Sequence, residues 1–165
     1  MGLMGSGKTA VATVLATRLH RALRDSDTDI EAATGRTVRE LAASEGIDAM
    51  HDREAAHLLD ALAGRDPYVV AVAASTIERA DCRDALDPAF VVWLDVAPAV
   101  LAERFASRAH RPDFGRPVAE LLLEQRARRG PLFESVADLV LRDDSAAPDA
   151  FADVVLAAVE RESKT

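Results

Sequence analysis

The stretch Gly2-Leu3-Met4-Gly5-Ser6-Gly7-Lys8-Thr9 opens this chain of 165 residues. It fits the pattern of a phosphate-binding loop, in which glycines at fixed offsets precede a lysine and then a serine or threonine. The glycines let the backbone curl so that successive N–H groups face one anion, and the following helix adds its dipole. Lys8 would reach the β- and γ-phosphates, and the Thr9 hydroxyl would bind Mg²⁺. A Gly-rich turn capping an ordinary helix is the alternative, but the fixed positions favour a nucleotide site.

The setting of this loop lacks one element. A buried β-strand normally leads into a phosphate-binding loop, yet only Met1 precedes Gly2. The strand should contain about five apolar residues. Either the chain begins too late or the sheet lacks its central strand. Because the loop is intact, we expect a missing N-terminal segment.

Composition predicts a single globular domain spanning residues 1–165, with 49% apolar and 29% charged residues. A net charge of −8 argues against nucleic acid as a partner. Cys82 is the only cysteine, which excludes an internal disulfide and favours a reducing cytoplasm. There is no signal peptide and no apolar run of the roughly 20 residues that a membrane span needs. We therefore expect a cytoplasmic protein that binds neither nucleic acid nor membrane.

Hydrophobic periodicity predicts strands that alternate with helices. The clearest strands are the near-continuous apolar runs 68–73 and 90–96, with weaker strands at 22–25 and 138–142. Helices are predicted over 8–19, 27–33, 37–46, 48–64, 76–86, 98–107, 118–129 and 149–161. This order predicts a three-layer α/β fold, in which helices flank a parallel sheet.

A pair of carboxylates follows the strand 22–25. In an extended segment Asp25 and Asp27 would share a face at the strand's carboxyl end, where open α/β sheets bind ligands. One could support a metal ion, and the other could orient or deprotonate an attacking hydroxyl. The alternative is a helix N-cap formed by Ser26 or Asp27. Beside a phosphate-binding loop we favour the functional pair.

Together, these motifs resemble those of shikimate kinases, in the same order and spacing over nearly the whole chain. The matching segments are 2–9, 25–27 with 30–31, 34–38, Gly46, and 129–133 with 136–138. The resemblance implies a P-loop kinase of the nucleoside monophosphate kinase group, with a moving lid over about residues 108–118. It implies transfer of the γ-phosphate of ATP, with Mg²⁺, to a hydroxyl of a small hydroxylated carboxylic acid. By analogy the protein would be a monomer or a weak homodimer.

The resemblance also implies roles for individual residues. The nucleotide would contact Gly5, Ser6, Gly7, Lys8, Thr9, Ala10, Arg104 and Arg111, of which Arg104 would pack on adenine and Arg111 would close on the phosphates. Thr9 and Asp25 would serve the metal. The implied catalytic residues are Lys8, Asp27 and Arg111, with Asp27 holding the accepting hydroxyl. Arg129 would bind the acceptor carboxylate.

The implied acceptor site departs from the family pattern in two places. Shikimate kinases carry Phe-Arg-x-x-Glu where this chain has 50–54, so that His51 replaces an arginine and Glu54 is kept. Imidazole offers fewer donors than guanidinium and is mostly neutral at pH 7, and Arg53 points to another side of the helix. The family's three consecutive glycines are Ala73-Ala74-Ser75 here. A methyl at Ala74 would narrow the acceptor pocket and Ser75 would add a hydroxyl.

The function predicted by these patterns is that of a small-molecule kinase, either a shikimate kinase or a close relative with an altered acceptor. Residues 75–79 with 83–84 show a short, weak likeness to gluconate kinases, so a gluconate or cyclitol acceptor stays open. Drift within true shikimate kinases would explain the same changes. The alternative class is a catalytically impaired ATP-binding regulatory or partner module. Arg128 and Arg129 could also only complement a helix dipole.

Overall fold

The computed structural model describes residues 1–64, 66–106 and 115–162. The strands are β1 (Ala22–Asp25), β2 (Tyr68–Ala71), β3 (Val92–Leu94) and β4 (Leu139–Leu141). The helices are α1 (Lys8–Leu19), α2 (Ser26–Thr34), α3 (Val38–Glu45), α4 (Ile47–Ala63), α5 (Ala80–Ala85), α6 (Pro98–Ala106), α7 (Val118–Val136) and α8 (Pro148–Glu162). A single 3₁₀ turn covers Thr76–Glu78. Strands and helices alternate as the sequence predicts, and the predicted α/β class with parallel strands is confirmed.

The strands form two parallel pairs. β1 pairs with β2 from Ala22↔Tyr68 to Asp25↔Ala71, and β3 pairs with β4 from Val92↔Leu139 to Leu94↔Leu141. Since β1 and β2 end together, the residues that follow them meet at one edge of the sheet. The carboxylate of Asp25 and the segment after Ala71 lie at that edge.

Between β2 and β3 the sheet is interrupted by a mainly apolar cavity of about 310 Å³. Met1 lies at one end of it and pairs with β3 in parallel fashion. Its amino group donates to Val92 O at 2.6 Å, and Leu94 N donates to Met1 O at 2.9 Å. Among the described residues, Met1 is thus the only one in the position of a central strand leading into the loop.

Two apolar clusters cover the two faces of the strands. On one side Trp93 and Phe133, with ring centroids 5.6 Å apart, pack with Leu58, Leu101 and Leu122, which joins α4, α6 and α7. On the other side α1 packs on α8 through a cluster made of Val11, Leu15, Phe151, Ala152 and Val155. The chain therefore has helices on both faces of its strands, which is the predicted three-layer arrangement.

Two helix predictions are wrong in detail. α7 does not end at Arg129 but continues through Pro131 to Val136, although proline cannot donate the helical hydrogen bond at that position. The complete burial of Phe133 against the core offsets that cost. The predicted helix 76–86 is divided by Arg79, whose backbone is extended. This break lets both Ile77 and Cys82 point into the core.

Candidate active site

The loop before α1 has the shape of an anion cradle. Gly5 and Gly7 have φ values of 80° and 94°, which lie in the left-handed region that favours glycine. A Cβ on Gly5 would lie 3.0 Å from the Phe105 ring, while one on Gly7 would meet nothing within 4 Å. The Ser6 hydroxyl is buried and has no hydrogen-bond partner in the described part of the chain. A buried orphan hydroxyl costs free energy unless a ligand satisfies it.

Lys8, the first residue of α1, extends along this loop. Its ammonium group donates to Leu3 O at 3.1 Å. Burial lowers the pKa of Lys8 below its usual value, while the charges of Asp27, Asp25 and Glu54 act in the opposite direction. The three carboxylates that affect Lys8 come from the end of β1, from the first turn of α2 and from α4. Their negative charges therefore all favour the charged form of the loop lysine.

Thr9 and Asp25 connect the loop to the end of β1. Thr9 Oγ1 donates to Asp25 Oδ2 at 2.7 Å. Asp25 Oδ1 in turn accepts the backbone N–H groups of Asp27, at 3.2 Å, and of Thr28, at 3.4 Å, and so caps α2. The prediction that Asp25 and Asp27 share a face of an extended segment is wrong, because the helix begins at Ser26. The N-cap is Asp25, and Asp27 lies in the first turn.

Asp27 nevertheless faces the loop. Burial and the neighbouring charge of Asp25 raise the pKa of its carboxyl, against the opposing charge of Lys8. Behind it, Asp29 Oδ2 accepts from Arg24 Nε at 2.7 Å and lies 2.7 Å from His57 Nε2. These contacts fix α2 between β1 and α4. Asp27 itself stays solvent-exposed in the first turn of α2, and the pKa of its carboxyl is raised.

The segment after β2 forms the opposite wall. The Ser75 hydroxyl donates to the carboxylate of Glu54 on α4, and both side chains are buried. Burial raises the pKa of Glu54, and the charge of Asp27 adds to this effect. Ala74 is half-buried and packs against the core. Both predicted substrate-side residues, Ala74 and Ser75, therefore lie on the wall that also carries Glu54.

Arg129 lies within α7 and is only 5% exposed. Its Nε donates to Glu78 Oε1 at 2.5 Å, and Arg128 Nε donates to the same oxygen at 2.9 Å. The alternative that these arginines merely complement a helix end is wrong, because α7 continues for seven more residues to Val136. His51 on α4 is half-buried, and its pKa is lowered by burial and then by the charge of Arg129.

Arg53 and Arg104 make contacts in different parts of the structure. Arg53 donates to Glu45 Oε2 at 2.7 Å, on the α3 side, as its position along the helix predicts. Arg104 Nη1 donates to Gly5 O at 3.2 Å and Nη2 to Asp144 O at 2.8 Å, which places it beside the phosphate-binding loop. Its packing on adenine stays a prediction. Arg111 and most of the predicted lid lie outside the described residues.

The donor set at the loop suits a hard cation. Thr9 and Asp25 present oxygen atoms side by side, and Mg²⁺ in phosphate sites takes one or two protein oxygens together with phosphate and water. Among residues 1–64, 66–106 and 115–162 no three or more His, Cys, Asp or Glu side chains form a metal cluster. Such a cluster is not needed where phosphate supplies the remaining ligands.

None of the described helices is long and apolar enough to cross a membrane.

The sequence did not predict that Glu78 belongs to this site, and it did not predict the contacts of Glu54. Glu78 lies in the segment 75–79, but nothing in the sequence indicates that it pairs with residues 128 and 129, about 50 positions later. Glu54 was visible as the kept glutamate of the Phe-Arg-x-x-Glu pattern. Its burial and its hydrogen bond to Ser75 required the packing of α4 on the segment after β2.

The comparison with known proteins agrees with this geometry. The family model for shikimate kinase matches residues 4–160. The chain belongs to the shikimate kinase family. A shikimate kinase from Symbiobacterium thermophilum is 37% identical, over 98% of this chain and 95% of its own length. One from Chromohalobacter salexigens is 34% identical, over 98% and 90%. The solved structure of an Acinetobacter baumannii shikimate kinase in complex with shikimate is similar with a TM-score of 0.89, at 28% identity, covering 98% of this chain and 90% of that one.

Proposed function

We propose that this member of the shikimate kinase family transfers the γ-phosphate of ATP to a hydroxyl of shikimate or of a closely similar polyhydroxylated acid. The observation that carries the proposal is the position of Asp27, whose carboxylate lies near Lys8 and the Thr9–Asp25 pair. A phosphate-binding loop alone supports nucleotide binding. A carboxyl with a raised pKa next to that loop supplies what transfer to a hydroxyl needs.

Each group has a distinct role in the proposed reaction. The backbone of Gly5–Thr9 and the Ser6 hydroxyl bind phosphate oxygens, and Lys8 contacts the β- and γ-phosphates. Asp27 accepts a hydrogen bond from the acceptor hydroxyl. As the hydroxyl oxygen bonds to the γ-phosphorus, the bond from that phosphorus to the β–γ bridging oxygen breaks. The electron pair leaves with ADP, and the hydroxyl proton moves to Asp27.

Mg²⁺ fits the oxygens of Thr9 and Asp25, and when bound it neutralises charge on the β- and γ-phosphates. The remaining assignments are also proposals. Ala10 and Arg104 border the nucleotide, and Arg111 approaches its phosphates. His51, Ala74, Ser75 and Arg129 border the acceptor. We further propose one catalytic domain over residues 1–165 that works in the cytoplasm as a monomer or weak homodimer.

The test is an ADP-release assay with ATP, Mg²⁺ and shikimate, run beside gluconate and a cyclitol. We expect ADP release that requires both Mg²⁺ and shikimate. Isolation of a phosphorylated shikimate by mass spectrometry would exclude ATP hydrolysis as its source. Matched variants are Asp27→Asn, which should lose transfer, and Asp60→Asn, a highly exposed carboxylate that should not.

Two results would contradict the proposal. ATP binding without acceptor-dependent turnover would favour the regulatory module instead. Turnover with gluconate or the cyclitol but not with shikimate would show that the protein is a kinase with a different acceptor. Both results can be separated by measuring ATP affinity directly, because the loop residues that bind phosphate are distinct from those that face the acceptor.

A further inference from the structure

The helix α7 is intrinsically weak just after Arg129. Gly130 and Pro131 follow that arginine in the interior of the helix. Proline has no N–H to donate to Ala127 O and its ring crowds that carbonyl, and glycine is a poor helix former. Arg129 itself is only 5% exposed, so its side chain has little freedom to compensate for a movement of the backbone. The position of Arg129 therefore depends on contacts that hold α7 on either side of this weak point.

Trp93 on β3 provides contacts on both sides. The guanidinium carbon of Arg126 lies 4.7 Å from the centroid of the indole ring, and the ring centroid of Phe133 lies 5.6 Å from it. A guanidinium over an indole face and a second aromatic ring at this separation are both attractive contacts. Trp93 is 1% exposed and belongs to a paired strand. It therefore holds α7 one turn before and one turn after the weak point.

Asp95 fixes the Arg126 guanidinium on this tryptophan. Arg126 Nε donates to Asp95 Oδ1 and Nη2 donates to Oδ2, each at 2.9 Å, which is the two-pronged geometry that gives such pairs their directionality. Asp95 N donates to Leu141 O at 2.9 Å, so the backbone stays extended beyond β3 and Trp93 and Asp95 project from the same face. Arg142 Nε also donates to Asp95 Oδ2, at 3.1 Å, from the more exposed side.

Gly130 leaves the space that this arrangement needs. A Cβ built on Gly130 would lie 2.0 Å from Arg126 Nη1 and 3.2 Å from its Cζ. Alanine would be the better helix residue at this buried position. The close approach of the guanidinium to the Gly130 backbone is thus a physical reason for a glycine in the middle of α7.

We propose that Arg126 is a positioning residue, which together with Asp95 and Trp93 fixes the register of α7 and so places Arg129 for the acceptor carboxylate. Residues three apart on a helix are neighbours on one face, so a shift of α7 at Arg126 also moves Arg129. Arg126 acts through Arg129 and does not itself contact the acceptor. The inference rests on the proposed function, because it assumes that the acceptor binds beside Arg129.

Gly130→Ala, Arg126→Met and the double variant test this role. The alanine methyl displaces the guanidinium while every other side chain is kept. Methionine removes the guanidinium, and its sulfur takes the place of Arg126 Cδ, which lies 3.9 Å from the Cβ built at position 130, an ordinary contact. For each protein, calorimetry in the presence of ADP and Mg²⁺ gives the dissociation constant for shikimate. Steady-state kinetics give kcat and the KM for ATP, and a thermal melt gives the stability.

Each single variant should bind shikimate about tenfold more weakly, with kcat within about threefold and the KM for ATP within about twofold of the parent. The double variant should bind shikimate no more weakly than Arg126→Met, because both changes remove the same contact. It should also melt above Arg126→Met, since alanine favours the helix. A more stable protein that still binds shikimate weakly separates positioning from folding.

Arg18→Met is the matched control. The side chain of Arg18 is 33% exposed, against 34% for Arg126, and it joins α1 to Asp149 and Asp153 on α8. This variant removes the same charge and an ion pair between two elements, but away from α7. It should leave the dissociation constant for shikimate within about twofold of the parent. If Arg126→Met is unfolded at the assay temperature, Gly130→Ala decides the question, because it retains the arginine.

The outcomes distinguish this inference from the proposed function. If the parent phosphorylates shikimate and the folded single variants bind it as tightly as the parent does, positioning by Arg126 is overturned and the function stands. The same conclusion follows if the KM for ATP rises together with the dissociation constant for shikimate as stability falls. If the parent binds shikimate without phosphorylating it, the proposed function fails, while the dissociation constants still decide the role of Arg126. If the parent does not bind shikimate, both are overturned.

Discussion

The Thr9 hydroxyl donates a 2.7 Å hydrogen bond to Asp25, so the last residue of the phosphate-binding loop is joined to the last residue of β1. Because Asp25 also caps α2 through its other oxygen, one side chain fixes the loop, the strand end and the helix that carries Asp27. The nucleotide side and the acceptor side of the site are thereby linked through a single carboxylate. Its charge and its capping function can be separated by mutation.

Asp25→Asn should reduce kcat by about 100-fold or more, because it removes a preorganised charge from the metal side of the site. Asparagine is as good an N-cap as aspartate, so the melting temperature should change little. The measurement is steady-state kinetics over a range of Mg²⁺ concentrations, with a thermal melt of each protein. Thr9→Ser, which keeps the hydroxyl, is the control and should retain most activity. Full activity in Asp25→Asn would show that Asp25 does not bind the metal.

Asp27→Asn should reduce turnover by about 100- to 10,000-fold while ATP still binds, because the amide cannot accept the hydroxyl proton. The raised pKa of Asp27 adds a pH signature. The carboxyl must be ionised to act as a base, so the acid limb of the parent's kcat profile should lie above the ordinary aspartate range. Persistent turnover in the variant, with an unchanged profile, would leave Asp27 with a structural role only.

Local patterns were sufficient for most of the fold. α1 and β1 lie where the sequence predicts them, because hydrophobic periodicity acts over a few residues. The end of α7 and the break at Arg79 could not be predicted in the same way. Both depend on which apolar side chains enter the core, and the packing of Phe133 outweighs the cost of Pro131.

The candidate site shows the same division. The Thr9–Asp25 contact was predictable, since a phosphate-binding loop and the end of a neighbouring parallel strand meet at one edge of a sheet. The exact geometry was not predictable, because α2 begins at Ser26, one residue earlier than expected. The pairing of Glu78 with Arg129 joins a 3₁₀ turn to the middle of α7 and has no sequence signature.

Glu54→Gln should stabilise the protein more at about pH 8 than at about pH 5. The pKa of Glu54 in the folded state is raised above its unfolded value by burial. The native state therefore holds its proton to higher pH, and ionisation above the unfolded pKa destabilises the fold. Glutamine removes this term while keeping an acceptor for Ser75. One pKa unit corresponds to about 1.4 kcal/mol.

Urea unfolding of parent and Glu54→Gln at both pH values measures the effect. Glu45→Gln is the control with the opposite sign, because the hydrogen bond from Arg53 lowers the pKa of Glu45 and its ionisation stabilises the fold. An increase in the free energy of unfolding that is equal at both pH values would show that burial does not destabilise the ionised carboxyl of Glu54.

His51→Arg should lower the KM for shikimate at neutral pH, since guanidinium is always charged and can bind a carboxylate with two donors. Burial and the charge of Arg129 lower the pKa of His51 below 6.5, so the parent imidazole is charged only in acid. The parent's KM should therefore rise with pH below about 6.5 and become flat above 7. The ratio of KM values for shikimate and methyl shikimate isolates the charge effect. Equal ratios in parent and variant would place His51 away from the carboxylate.

The cavity between β2 and β3 should accept an additional strand. A variant extended ahead of Met1 by about five apolar β-branched residues should fill it, since Met1 already pairs with Trp93 in parallel register and lines the cavity. Burial lowers the pKa of that amino group to about 5, and the extension would replace this desolvated amine by a peptide N–H. Each buried valine or isoleucine contributes about 1.5 to 3 kcal/mol.

A melting temperature at least about 5 °C above that of the parent is expected for the apolar extension. An extension of the same length made of glycine and serine is the matched control, because it removes the terminal amine without filling the cavity. If both extensions give the same melting temperature, the cavity does not bind a strand and the amine alone accounts for the change. If only the apolar extension stabilises, and it also lowers the KM for ATP, the strand supports the phosphate-binding loop as well as the core.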